Sequence, residues 1–499
     1  MDNNNFSILP FTNDNLAFSL SNNFIDPDSV KKKYHYIYLL DYLSSSTDSL
    51  EAKTIIIEKN YISKSYITDY ADYYSKCFKD YGRITNRIHF FSSNIDDDKF
   101  LELLSSGQED SFWDSYLGFI VAKPLPDSII GPTLLKTFHN PEEDNRKFTV
   151  TKTYEVHLFG KKLKLISLIY QEQDTVLSAC ATAALWCAFQ KTSELFHSLQ
   201  PSPSEITNMA GNLFFNSGRT FPNHGLDVYQ ICKAIESVGL VSELRNKNSS
   251  LNDLKFFKSF VYSYLRIGLP VLLGLEITGI GHLVTLTGYK ENFSSQLNSP
   301  DLTLTAHQID RLYAHDDQIG PFSRIGFHGN EIITSWKDIK TNNLLKAKII
   351  AVFIPLYPKI RITFEDVFTK INILDQLLDI ISISGKEIVW DIFLDFSNEF
   401  KNEIRINSQL DADYKQKLLL NSMPRFIWRA KAIVNNNAVM ELIFDATDIS
   451  RGFFCTQIII FNNDFKDNLR IFFDDQNFKN TFINLLDENY FKLFKKEFD

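Results

Sequence analysis

The stretch "QEQDTVLSACATAALW", Gln171 to Trp186, sets a lone cysteine, Cys180, at the head of a run of small residues. A chain building only a core would favour Val or Leu there. Ser178 reads as a helix N-cap, which puts Cys180 in the first turn of "ACATAALWCAFQ". Ala181, Thr182, Ala183 and Ala184 are small, so neighbouring elements can approach this helix closely. A free thiol is mostly protonated at neutral pH, because its pKa is about 8.5. A helix N-terminus favours the thiolate through its dipole and its unsatisfied N–H groups. A nucleophile so placed needs an imidazole to take its proton and a third group to orient that imidazole.

Both partners lie downstream. "GHLVTLTGY" puts His282 at the start of an apolar strand, behind Gly281. "LYAHDDQIG" puts Asp316 at the end of the next strand, with His315 and Asp317 as its competitors. Adjacent strands would bring Asp316 beside His282, and the polar "KENFSSQLNSPDLTLTAHQ" between them would be a long excursion. Acyl transfer also needs donors for a developing oxyanion. The side-chain amide of Gln173 and the backbone N–H of Cys180 supply them, with Gln171 as the alternative amide.

At these residues the chain resembles papain-like cysteine peptidases, and it is most similar to the C39-like branch, which includes bacteriocin leader peptidases. The resemblance covers roughly residues 150–355 and rests on the Gln-Asp turn, the Cys opening a small-residue helix, "GLPVLLGLE…GHLVTLTGY" and the "HD" pair. It implies a Cys-His-Asp triad of Cys180, His282 and Asp316, with Gln173 in the oxyanion hole. It implies an α+β fold in which the Cys-bearing helix packs on an antiparallel sheet. It also implies hydrolysis of a peptide bond in a protein or peptide substrate through an acyl-enzyme, with no metal or organic cofactor. Two positions depart from the family pattern. The family's Gln sits one residue nearer the Cys, where this chain has Asp174, and the family's Gly after the Cys is Ala181 here.

Working outward, residues 1–147 read as an N-terminal α/β domain: strands "AKTIIIEKNYI", "NRIHFFSS" and "YLGFIVAKPLP", and a helix "KSYITDYADYYSKCFKDYG" ending near Gly82. The Tyr/Phe stripe at 66–78 reads as core. "HNPEEDNRK" (139–147) reads as a linker. The peptidase-like segment, 148–358, opens with a hairpin around "FGKK", where Gly160 supplies a positive φ. Ser202, Pro203 and Glu205 make a capping box, and Val228, Ile231, Ile235 and Val238 share a helix face stopped by Gly239. Residues 359–499 read as a C-terminal mixed α/β domain with a terminal amphipathic helix, "INLLDENYFKLFKKEF". Such a helix suits docking on its own domain better than a membrane surface.

Bulk properties bound the rest. The 499 residues are 44% hydrophobic and 23% charged, an ordinary globular composition long enough for large cores. A net charge of −9 argues against nucleic acid, which selects a basic stripe. Five scattered cysteines without CxxC spacing indicate neither a disulfide framework nor a zinc site. Cys187 and Cys232 read as packing residues. With no basic-then-apolar leader and no apolar run of about 18 residues, the expectation is a cytoplasmic protein off the membrane. "HDD" lacks a second converging ligand cluster, so a metal is not expected. His224 reads as a surface residue. Three rivals accompany the peptidase reading: transglutaminase- or deamidase-like acyl transfer, an inactive scaffold that binds partners, and flanking segments that carry the function by binding a regulatory protein or small molecule.

Overall fold

The computed structural model describes the chain except residues 1–4, 23, 45–47, 108, 139–144, 175–179, 212–224, 247–249, 293–301, 330, 381–387, 409, 450–451 and 499. Ser178, His224 and most of the expected linker at 139–147 therefore lie outside the described residues. The architecture is mixed α+β with several antiparallel sheets. Contacts group the chain into two compact units that interleave along the sequence. The first takes Met1–Ser249, Gly268–Lys290 and Arg311–Pro355, and the second takes Ser250–Ile267, Glu291–Asp310 and Leu356–Asp499.

The first unit opens with a sheet of β1 (Phe6–Pro10), β2 (Thr54–Tyr61), β3 (Thr85–Phe91), β4 (Tyr116–Ala122) and β5 (Ile130–Leu135), ordered as numbered. Every neighbour pair is antiparallel, so this is a meander and not a set of parallel crossovers. Its helices are α1 (Asn13–Ser21), α2 (Pro27–Val30), α3 (Tyr34–Leu43), α4 (Lys64–Asp72), α5 (Asp97–Ser106) and α6 (Ser111–Asp114). The helix expected to reach Gly82 stops ten residues short. Tyr73 leaves helical geometry (φ −131°, ψ −61°), which lets Tyr66 and Tyr74 pack with Leu125. The aromatic stripe is core at those two tyrosines, whereas Phe78 faces solvent.

After β6 (Arg146–Lys147), the expected hairpin forms from β7 (Lys152–Leu158) and β8 (Lys161–Ser167). Its two-residue turn needs positive φ at both positions, and Phe159 (47°) and Gly160 (92°) supply it. Phe159 offsets the cost for a bulky residue by packing on Phe6 and Phe100. The inward residues Val156, Leu158, Leu163 and Leu165 join Ile56, Phe91 and Trp113 in one core. Each such side chain contributes about 1.5–3 kcal/mol on burial.

Then come α7 (Cys180–Phe196), α8 (Pro203–Met209), α9 (Val228–Ser237) and β9 (Val241–Asn246). The capping box at Ser202 and Glu205 is present, and Gly239 stops α9 with φ 86°. Ile231, Ile235 and Val238 are buried as expected, but Val228 is 38% exposed at the first turn. The remaining strands are β10 (Val271–Ile277), β11 (Ile280–Glu291), β12 (Ile309–Asp316), β13 (Gly320–His328), β14 (Glu331–Lys337) and β15 (Leu344–Leu356). They pair in that order, and β15 also pairs with β10, so the sheet closes into an antiparallel barrel with β9 beside β15.

The second unit holds α10 (Leu254–Leu265), α11 (Phe364–Ile380) and a meander of β16 (Val389–Phe396), β17 (Phe426–Val434), β18 (Asn437–Asp445) and β19 (Cys455–Ile460). Around it lie α12 (Ser397–Ile406), α13 (Ala412–Leu420), α14 (Asn463–Phe473), α15 (Gln476–Leu485) and α16 (Glu488–Phe498). Part of the long excursion after β11 belongs here: Leu304 forms a bridge with Trp390. Arg429 is buried and paired with Asp395, Glu403 and Glu441. The terminal helix is two helices, because Asp487 caps a fresh start at Glu488, its carboxylate accepting the Asn489 N–H at 2.6 Å. Its apolar face docks within the unit, with Phe491, Phe494 and Phe498 against Phe473.

Candidate active site

Cys180 is the first residue of α7, where the N–H groups have no intrahelical acceptor. Its side chain is half-buried. The small residues behind it are buried, with Ala181, Ala183, Ala184 and Ala188 all at or below 4% exposure. That lets β11 lie close: Thr285 Oγ1 donates to the Ala184 carbonyl at 2.7 Å. Ala184 is one helical turn beyond Cys180, and Thr285 is three residues beyond His282. This bond ties the start of α7 to β11.

His282, near the start of β11, is buried, and the Cys180 thiol is near enough to help raise its pKa. Its Nε2 lies 2.9 Å from Asp316 Oδ1, at the end of β12. With Nε2 donating to the carboxylate, Nδ1 is left to face the thiol. Asp316 is held on its other oxygen by the Trp336 indole N–H at 2.8 Å, and by the Gln318 backbone N–H at 3.0 Å to Oδ1. The Trp336 ring stands edge-on to His282 with centroids 4.9 Å apart. Burial alone would drive His282 neutral, but Asp316, the Cys180 thiol and Asp317 outweigh it and push its pKa up to about 11. Burial likewise opposes charge on Asp316, yet His282, Trp336 and the Gln318 amide hold it below the usual carboxylate range. The pair is thus an imidazolium against a carboxylate.

The competitors separate cleanly. His315 accepts the Phe322 N–H on Nδ1 and donates from Nε2 to the Leu168 carbonyl, and burial lowers its pKa to about 3. It is a neutral core histidine. Asp317 lies 3.7 Å from His282 Nε2, and neither of its oxygens receives a hydrogen bond from another residue. Burial raises its pKa to about 7. His282, Asp316 and Asp317 are the one grouping among the described residues that could hold a metal ion. The Nε2 proton and both Asp316 oxygens are already engaged in hydrogen bonds, which is the arrangement of a base and its orienting acid. Cys187 is 1% exposed, and burial pushes its thiol far up. Burial also raises Cys232.

The segment before Cys180 is held from the N-terminal sheet. Tyr170 exchanges backbone hydrogen bonds with Thr133 on the edge strand β5, and Glu172 takes the Ile130 N–H on Oε2 at 2.9 Å. Gln173 is half-buried, and its backbone carbonyl accepts from Ser128 Oγ at 2.8 Å. Gln171 is buried, and Asp174 accepts from the Tyr74 hydroxyl. His35, on α3, reaches both halves of the site. Its Nε2 donates to the Asp317 carbonyl at 2.6 Å, and its Nδ1 lies 3.4 Å from Glu172 Oε1. Sequence reasoning missed Trp336 and His35. A half-buried indole needs an acceptor, which is a signal of sorts for Trp336, but nothing local marks His35.

Compared with known proteins, the chain matches no protein-family model and no curated protein sequence. No helix among the described residues is long and apolar enough to cross a membrane.

Proposed function

We propose that the chain is a papain-like thiol peptidase that cleaves a peptide bond in a specific protein or peptide partner. The observation that carries this reading is the chain of contacts from Cys180 through His282 to Asp316, with the imidazole held charged. In the proposed reaction the Cys180 thiolate attacks the carbonyl carbon. The oxyanion is met by the Cys180 backbone N–H and by the amide of Gln173 or Gln171. The His282 imidazolium gives its proton to the leaving amine, then takes one from the water that releases the acyl group. Asp316 keeps Nε2–H bound, so the reactive nitrogen always faces the sulfur. Trp336 covers the ring and supplies a fixed dipole to the carboxylate.

Incubating the protein and its Cys180→Ala variant with a lysate of the source cell, then comparing newly formed N-termini, tests the reading. New termini that need Cys180 are expected. Ammonia release without new termini would move the same triad to deamidase or transglutaminase chemistry. No labelling of Cys180 by an electrophilic thiol probe would leave only a partner-binding scaffold.

A further inference from the structure

A concave site whose lining includes none of the triad lies in the first unit. It is a cleft of about 880 Å³ between α3 and strands β12 to β14. Its floor is preformed. Tyr38 and Tyr42 spend their hydroxyls on the carbonyls of Pro321 and Lys136, leaving their rings as fixed apolar surface. Its rim is apolar and uncovered: Tyr34, Ile37 and Leu344 are each about half exposed, at 51%, 52% and 52%.

The charges in this cleft run against those of the chain. The chain carries a net −9, yet Arg311, Arg324 and Lys337 all converge here. Arg324 shares Asp48 with Arg146 at 3.4 Å and 2.9 Å, so Asp48 is already neutralised. The side chains of Arg311 and Lys337 have no ion pair or hydrogen bond among the described residues. Asp41 is the remaining carboxylate in the lining. A compact polyphosphate would be repelled by it, whereas a peptide can set a backbone N–H against it. Apolar rim, unpaired cations and one acceptor together fit a peptide that alternates acidic and apolar side chains.

We propose that this cleft binds an acidic, partly apolar peptide segment of a protein partner. The site stands independently of the peptidase reading, because none of its lining residues belongs to the triad. Ser335 and Lys337 flank Trp336 on β14, whose indole N–H holds Asp316 at 2.8 Å.

The test is fluorescence anisotropy on full-length Cys180→Ala protein with a labelled peptide of alternating glutamate and leucine. Saturable binding is expected that weakens as salt rises. Arg311→Glu combined with Lys337→Glu should lower affinity at least about tenfold. Lys164→Glu, at an exposed lysine outside the cleft, should leave affinity unchanged, and Lys337→Gln should fall between. A matched lysine–leucine peptide should not bind. Equal binding of both peptides, no saturable binding, or binding only of inorganic tripolyphosphate would each overturn the proposal. Unchanged far-ultraviolet circular dichroism separates lost binding from lost folding.

Discussion

At the scale of single residues, the most consequential group beyond the triad is Asp317. It is 4% exposed, without a hydrogen-bond donor from another residue, and its pKa is raised to about 7 by burial. In the unfolded chain a carboxyl ionises near 3.9. Between those values the folded chain holds a proton that the unfolded chain has lost, so folding stability falls as pH rises through this window. Asp317→Asn cannot titrate there. Its melting temperature relative to wild type should rise steadily from pH 4 to pH 8, whatever fixed offset the amide brings. A difference that is flat with pH would show that Asp317 is ionised throughout. The residue scale was also where the sequence was most informative. Cys180 and His282 stood out because a thiol at a small-residue helix start and a histidine behind glycine at a strand start are costly choices for a core. Between His315, Asp316 and Asp317 the sequence offered only order. The partition came from backbone contacts to Leu168 and Phe322, which no local pattern encodes.

At the scale of elements, α7 and β11 are tied by the Thr285 hydroxyl on the Ala184 carbonyl. Thr285→Val keeps the shape and removes the donor. The expected cost is about 1 kcal/mol of stability, read as a lower denaturant midpoint at constant slope, together with slower alkylation of Cys180. Full stability and unchanged alkylation would mean that close packing of the alanines alone sets the spacing. Elements were legible where a single residue type carries the geometry, as at Gly160, Gly239 and the Ser202 capping box. They were misread where periodicity runs on through a break. The tyrosine spacing continues past Tyr73, and the apolar spacing continues past Leu485, yet in both places a local demand turns the chain. At the first it is the packing of Tyr74, and at the second the Asp487 cap.

At the scale of the whole molecule, the units are braided through the sequence. The hairpin residues Val156 to Leu165 complete a core begun by Ile56 and Phe91, and Tyr170 pairs with Thr133. α10 belongs with β16 and β17 through Tyr262 to Asp391 and Tyr264 to Trp428. A fragment of residues 148–358 therefore lacks partners at both ends. It should melt without a cooperative transition, whereas the full chain should show one or two. A sharp transition in the fragment would contradict this. Sequence patterns along a chain mark where elements start and stop. They carry no sign of which distant stretch will cover a given apolar face, and that is why the braiding was not legible.

The Tyr262–Asp391 bond spans 129 positions. During synthesis at roughly 5–20 residues per second, α10 leaves the ribosome about 6–26 s before its carboxylate partner exists. For that interval the greasy side of a nascent helix, Phe257, Phe260 and Tyr264 among it, has no strand to cover it. A translating cell must either shield that surface with a chaperone or risk the chain adhering to its neighbours.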